Sequence, residues 1–450
     1  MHAPDPSAPS AASLASALAD GSATVGVIGL GYVGLPLATT AAQAGLQTIG
    51  FDIDPEKVAL LNAGTSYIDA VPAGRLAAVI AERRFRASAD FAELSACNVI
   101  VICVPTPLTP QRDPDLSFVV DTARTIARHL QPGQLVVLES TTFPGTTSDV
   151  VKPILEQSAL VCGVDFFLGF SPEREDPGNV RFCTATIPKV VAGEGAVAQR
   201  LVEGFYQRVV QAIVPVSSPA VAEAVKITEN IFRAVNIALA NELKVIYEAM
   251  GVDIWEVVEA AATKPFGYMP FYPGPGLGGH CIPIDPFYLA WKSKQYELPT
   301  RFIELAGEIN RAMPRYVIGK LEAALDARLG LPLGKARVLM LGLAYKKNVA
   351  DVRESPSFKL MQLIEQRGGR VEFHDPHVAK IPPTREYPEF AGRRSQPLSA
   401  DSLKACDCVL LATDHDAVDY ALVAGHARLI VDTRNVFARN GHKGDHIVKA

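Results

Sequence analysis

The sequence predicts an α/β protein: two doubly wound parallel-sheet domains joined by a central helical domain with one long helix. Three observations carry this. Strand-length apolar runs alternate with helical patterns in the N-terminal part and again in the C-terminal part, the rhythm of parallel sheets covered by helices. Between Pro219 and Gly251 the chain contains no Gly or Pro, the two residues that interrupt helices. Near the start, GLGYVG stands between a strand-like run and a helical pattern.

Residues 1–22, MHAPDPSAPSAASLASALADGS, are rich in Ala, Ser and Pro. They lack the basic start and compact apolar core of a secretory signal, and a disordered tail is expected. TVGVIGL is an apolar strand that runs into GLGYVG and the helical pattern PLATTAAQAG; LQTIGFDID follows as a strand ending in acids. NVIVICVP and GQLVVLES are further strands separated by the helical SFVVDTARTIARHL, and FFLGF is a shorter strand-like run. Beyond Pro219, apolar residues recur at helical spacing through Val221, Val225, Ile231, Val235, Leu239, Leu243 and Ile246, which predicts one long helix with an apolar side. A second helical stretch, PTRFIELAGEINRAMPRYVIGKLEAALDARLG, comes after it. The α/β rhythm then restarts with KARVLMLGLAY (strand), SPSFKLMQLIEQRG (helix) and the strands RVEFHDP, DCVLLATDH and RLIVDTRN. No close repeat links the two α/β parts, and the second lacks GxGxxG. The expected divisions are a tail over 1–22, an N-terminal domain over 23–215, a central helical domain over 216–328 and a C-terminal domain over 329–450.

Composition excludes several classes. At 450 residues, 48% hydrophobic and 20% charged, the chain reads as a soluble globular enzyme of two or three domains. A net charge of -5 and a pI near 6.0 leave no footprint for nucleic acid or an anionic membrane. No apolar run has the length of a bilayer span. Seven cysteines, at 97, 103, 162, 183, 281, 406 and 408, are scattered without CxxC spacing. Cys406 and Cys408 lie on a strand-like run, where they would face the same side. The expectation is a cytoplasmic protein with reduced thiols, no metal, no nucleic-acid partner and no membrane.

Gly29, Gly31 and Gly34 follow a strand and precede a helix. In that setting the first glycine permits a tight turn, the second lets backbone approach a pyrophosphate and the third lets helix pack on strand, a Rossmann-like arrangement. The helix N-terminus adds unpaired N–H groups for the phosphates. Asp52 ends the next strand, where a carboxylate accepts from a ribose diol and repels a 2′-phosphate. The constellation points to NAD; Asp54 lies past the expected strand end and is the weaker ribose partner.

Other polar groups stay open to two readings. Lys226 and Asn230, four apart, share a helix face, as a functional pair or as part of a solvated stripe with Glu223, Glu229 and Arg233. Glu173 and Glu175, in FSPEREDPGN, carry chemistry or form an exposed acidic turn. Lys346, Lys347 and Arg353, in YKKNVADVRES, bind phosphate or face solvent. Cys281 stands in YPGPGLGGHCIPIDP, a stiff loop poor in side chains, as a presented nucleophile or as an inert small hydrophobe.

Jointly, GLGYVG, the K-xxx-N helix, GGHCxPxD and YKKxxxDxRES resemble the nucleotide-sugar 6-dehydrogenases of the UDP-glucose/GDP-mannose dehydrogenase family over residues 25–437. GLGGHCIPIDPFYLAWK with FSPEREDPGN looks most like the branch that oxidises UDP-N-acetylglucosamine for surface polysaccharides. The resemblance implies oxidation of a C6 alcohol to a carboxylate with two NAD+ per turn. It makes Cys281 the nucleophile that forms a thiohemiacetal and then a thioester, on a loop whose glycines let the sugar sit against backbone N–H groups. Lys226 would stabilise the alkoxide and oxyanion, with Asn230 beside it and Asp285 holding Lys226 or a water. Thr141, in ESTTFPG, would lie near the catalytic water, and Glu173 would act as general base in thioester hydrolysis.

For NAD the resemblance implies Gly29, Gly31, Tyr32, Val33 and Gly34 of the turn, Asp52 and Lys57 beyond it, and Thr106, Thr141 and Arg353. For the UDP-sugar it implies Lys226 and Asn230, the loop residues Tyr272, Gly276, Gly278 and Gly279, and Lys346 and Arg434 (in VDTRNVF). PEREDPG departs from the PEFLxEG of UDP-glucose enzymes, which argues for a different sugar. His280 and Ile284 replace a serine and a lysine of that branch, and neither change removes a catalytic group. UDP-glucose, UDP-ManNAc and GDP-mannose are alternative substrates. A non-catalytic sensor would lack Lys226, Cys281 or Asp285, and a two-electron hydroxyacid dehydrogenase would not need Cys281. Family members are dimers or larger, so a homodimer or higher homo-oligomer is expected, with the apolar side of the long helix as its surface.

Overall fold

The computed structural model describes residues 9–450 except 69, 110, 177, 178, 180, 280 and 385. Its backbone contacts divide the chain in two: Met1–Glu229 with Phe287–Leu298, and Asn230–Pro286 with Pro299–Ala450. The long helix is present as Pro219–Ala249, 31 residues, and the second helical stretch as Arg301–Leu329.

The first unit is built on an eight-stranded sheet. Its strands are β1 (Thr24–Ile28), β2 (Gln47–Phe51), β3 (Phe85–Ser88), β4 (Val99–Ile102), β5 (Leu135–Leu138), β6 (Phe167–Phe170), β7 (Lys189–Gly193) and β8 (Ile213–Pro215), in the order β3-β2-β1-β4-β5-β6-β7-β8. The central runs VIVI and LVVL are buried throughout, as strands covered on both faces must be. Neighbours are parallel except β6 and β7, which pair antiparallel. The order reverses between β1 and β4, and in such sheets ligands bind beyond the strand ends at that switch. The turn of GLGYVG follows β1 there, and Thr106 follows β4.

Residues expected as a disordered tail form helix α1 (Pro9–Asp20). Ala11, Leu14 and Leu18 recur on one face and are buried in the same core as Leu201 and Phe205 of the helix Ala196–Val209. An Arg208 guanidinium N–H donates to the Ala19 carbonyl at 3.1 Å. Alanine's high helix propensity and three well-spaced apolar side chains suffice where average composition suggested disorder.

The second unit carries a five-stranded, all-parallel sheet of β9 (Arg337–Leu341), β10 (Arg370–His374), β11 (Cys408–Leu411), β12 (Ile430–Asp432) and β13 (Ile447–Lys449), ordered β10-β9-β11-β12-β13. Its switch point lies between β9 and β11, and Lys346 follows β9. Cys406 precedes β11 instead of lying on it, so the expected shared face is not formed: Cys406 and Cys408 belong to separate buried clusters. Among the described residues no helix is long and apolar enough to cross a membrane.

Candidate active site

The glycine turn after β1 opens into helix α2 (Gly34–Gln43). A Cβ on Gly29, whose φ is +90°, would fall 2.6 Å from the Cys103 carbonyl oxygen, and one on Gly34 would fall 1.9 Å from that of Gly29. On Gly31 it would meet nothing within 4 Å. Packing therefore demands the first and third glycines, and the second leaves the open backbone that a pyrophosphate needs. The Leu30 peptide is pinned from both sides: its N–H donates to Asp52 Oδ2 at 3.0 Å and its carbonyl accepts from the Tyr67 hydroxyl at 2.7 Å. Asp52 Oδ1 accepts the Asp54 N–H, and Lys57 Nζ stands 3.9 Å from it. Asp54 caps helix α3 (Pro55–Asn62), its side chain accepting the Glu56 and Lys57 N–H groups. Tyr32 is exposed, Val33 enters α2 and Thr106 is buried. The turn and its acid fit NAD.

Glu223, Lys226 and Asn230 on the long helix are buried, at 0%, 6% and 2% exposure, which removes the solvated-stripe reading. Glu223 accepts from the Gly145 N–H (2.6 Å) and from the N–H and hydroxyl of Thr147 (2.8 and 2.7 Å), holding the loop that carries the half-buried Thr141. Burial pushes its carboxyl up to about 7, against the pull of those donors. No ion pair or hydrogen bond to the buried Lys226 side-chain nitrogen forms among the described residues. Glu173 is not part of an exposed turn: Oε1 accepts the Glu175 N–H and Oε2 lies 3.5 Å from Lys189 Nζ. Glu175 in turn accepts from the Thr184 N–H and hydroxyl.

In the second unit, Cys281 heads a turn at the start of the helix Asp285–Lys294; its carbonyl accepts the Ile284 and Asp285 N–H groups at 3.1 and 2.8 Å. Asp285 is 2% exposed and accepts from Asn230 Nδ2 at 2.6 Å. The pairing of Asn230 with Asp285 was not foreseen. Cβ atoms on Gly278 and Gly279 would lie 2.6 and 2.8 Å from the Tyr345 side chain, and one on Gly276 3.1 Å from Pro356. Packing of the next strand-end residue therefore accounts for these glycines at least as directly as a sugar would. Tyr272 stacks on Trp255 with ring centroids 5.6 Å apart. The Arg434 guanidinium lies against Gly274, and its Nε donates to the Ala412 carbonyl at 3.0 Å. Lys346 follows β9, whereas Lys347 pairs with Asp416 at 2.5 Å and Arg353 with Asp351 at 2.6 Å. His280 lies outside the described residues.

Three family models cover most of the chain. The NAD binding domain of the UDP-glucose/GDP-mannose dehydrogenase family matches residues 23–210, its central domain 220–312 and its UDP binding domain 339–439. The chain belongs to the UDP-glucose/GDP-mannose dehydrogenase family. It is an NAD-dependent nucleotide-sugar 6-dehydrogenase. A UDP-N-acetyl-D-glucosamine 6-dehydrogenase of Pseudomonas aeruginosa is 36% identical, over 87% of this chain and 90% of its own. A UDP-N-acetyl-D-mannosamine dehydrogenase of Pyrococcus horikoshii is 33% identical, over 92% and 95%. The solved UDP-D-ManNAc dehydrogenase from Pyrococcus horikoshii has a TM-score of 0.85 at 32% identity, covering 95% of this chain and 98% of that one.

Several residues of this dehydrogenase escaped sequence reasoning. Tyr67, Lys189 and Tyr206 stand in runs without a recognisable motif, Glu139 opens ESTTFPG without standing out in it, and only the fold gives these four their partners. An isolated Lys opening the apolar run KVVAG was the one available signal.

Proposed function

We propose that the enzyme oxidises the C6 hydroxyl of UDP-N-acetylglucosamine to the carboxylate through a covalent intermediate on Cys281, in a pathway to surface polysaccharide. The observation that carries the covalent reading is Cys281 on a turn tied to the buried Asp285–Asn230 pair, a supported place for a nucleophile. The sugar assignment draws on the 36% identical Pseudomonas aeruginosa relative of that name. UDP-N-acetylmannosamine is the second reading, favoured by the 0.85 TM-score to the Pyrococcus horikoshii structure. The extents of the three family matches support boundaries near 215 and 328.

In this reading Lys226 stabilises the C6 alkoxide as the alcohol loses its proton and hydride. The Cys281 thiolate adds to the aldehyde carbon, and the resulting hemiacetal oxyanion takes the same cation. Loss of a second hydride leaves a thioester. Glu173 then removes a proton from water beside Thr141, the hydroxide adds to the thioester carbonyl, and the C–S bond breaks to return the thiolate. NAD, when bound, supplies the hydride acceptor for both oxidations, held by the Gly29–Gly34 turn and Asp52. Lys346 and Arg434 hold the UDP.

The test is the NADH formed per mole of limiting UDP-N-acetylglucosamine with NAD+ in excess. About two is expected from alcohol-to-carboxylate chemistry, and Cys281→Ser should form no acid. A ratio near one, or full turnover by Cys281→Ser, would sink the covalent mechanism. Turnover of UDP-N-acetylmannosamine alone would transfer the same chemistry to the second sugar.

A further inference from the structure

Behind Glu173 lies a row of charges that the reaction as written does not use. Lys189 opens β7 and is 3% exposed; Glu139 directly follows β5 and Tyr206 lies on the helix Ala196–Val209, both fully buried. Lys189 Nζ donates to Glu139 Oε2 at 2.9 Å and stands 3.5 Å from Glu173 Oε2. The Tyr206 hydroxyl donates to the other Glu139 oxygen. The ammonium is thus fixed on its buried side by a carboxylate that is itself fixed, and it faces Glu173 on the other. A buried ion pair is a weak source of stability, so its place beside a reacting carboxylate calls for another account.

We propose that Lys189 is a positioning residue that orients Glu173 and sets its basicity, with Glu139 as the fixed counter-charge. The inference rests on the reading of Glu173 as general base. The groups around this carboxylate are Lys189 from β7, Glu139 beyond it, Glu175 on its own loop and the neutral Cys103 thiol, pushed well up by burial, while the Tyr206 phenol stands behind on Glu139. One ammonium therefore serves more than one carboxylate. If Glu139 were absent, Lys189 would pair with Glu173 alone and the base would weaken. If Lys189 were absent, Glu173 would face like charge and hold its proton more tightly.

The experiment follows the acid limb of the kcat–pH profile in three variants whose folding is checked by circular dichroism and thermal midpoint. Glu139→Gln keeps the acceptor for Tyr206 and should move the limb down by about one pH unit. The double variant Lys189→Met with Glu139→Gln removes the buried pair together, so no lone charge is left inside. Because Lys189 is the nearer charge, its loss outweighs that of Glu139, and the limb should move up. Glu173→Gln should stall with the sugar still bound to Cys281, read by mass after acid quench. Normal turnover by Glu173→Gln overturns the base role and this inference with it. A stalled Glu173→Gln beside unmoved limbs in the other two overturns this inference alone.

Discussion

Donors from one loop converge on Glu223, and the group pays for its burial with a raised carboxyl. Both N–H donors and the Thr147 hydroxyl point at it, yet desolvation outweighs them and lifts it from 4.5 to about 7. A carboxyl raised on folding contributes stability that is complete below its unfolded value and lost as pH climbs through the folded one. Stability should therefore fall between pH 4.5 and 7, by about 3 kcal/mol from this group at 1.4 kcal/mol per unit. Glu223→Gln removes the titration but leaves the Gly145 N–H facing an amide NH2. It should be less stable than the parent at pH 5, by about 1–3 kcal/mol, with the gap closing by pH 8. Denaturation midpoints at those two pH values decide this, and a constant gap would refute it.

The two glycine turns invite comparison as elements. Gly342 after β9 has φ +84°, as Gly29 after β1 has φ +90°, and each turn is held by an acid beyond the next strand. Asp375 Oδ2 accepts the Leu343 and Ala344 N–H groups at 2.7 and 3.0 Å and His415 Nε2 at 3.1 Å; Oδ1 accepts the His377 and Val378 N–H groups. Burial alone would raise this carboxyl, but His415 and the backbone donors bring it down to about 2. A lowered carboxyl stabilises above its unfolded value near 3.8 and stops doing so as pH falls through 2. Asp375→Asn should thus cost about 2 kcal/mol at pH 7, shrinking below pH 4; an equal loss at pH 2.5 would show that charge is not the cause. The parallel was hidden in the sequence because the second turn lacks the later glycines. Strong apolar runs made β1, β4, β5, β9, β11 and β12 legible, whereas β3, β7, β8 and β13 read FRAS, KVVAG, IVP and IVK, a few apolar residues beside charge, Gly or Pro. The candidate site was legible where a motif concentrates it, at Gly29–Gly34 and around Cys281. It was illegible at Glu139, Lys189 and Tyr206, which converge from distant positions behind Glu173.

For the whole molecule, the exposed apolar residues of the long helix matter most. Phe232, Leu239 and Ile246 recur every seven residues and are exposed, with Met250 beyond them, whereas Val225 and Leu243 of the expected stripe pack inward. A regular apolar row of this kind supports the proposed homo-oligomer. Leu239→Glu should give a monomer by light scattering, and an unchanged mass would move the interface elsewhere. The tie around Asp375 has its own bearing on the working enzyme. Asp52 spends only part of its carboxylate on backbone and keeps capacity for a ribose diol, whereas Asp375 has all of its lone pairs engaged. With Asp375 engaged in this way, a nucleotide held by the second fold has to find its ribose and phosphate partners in groups other than this acid.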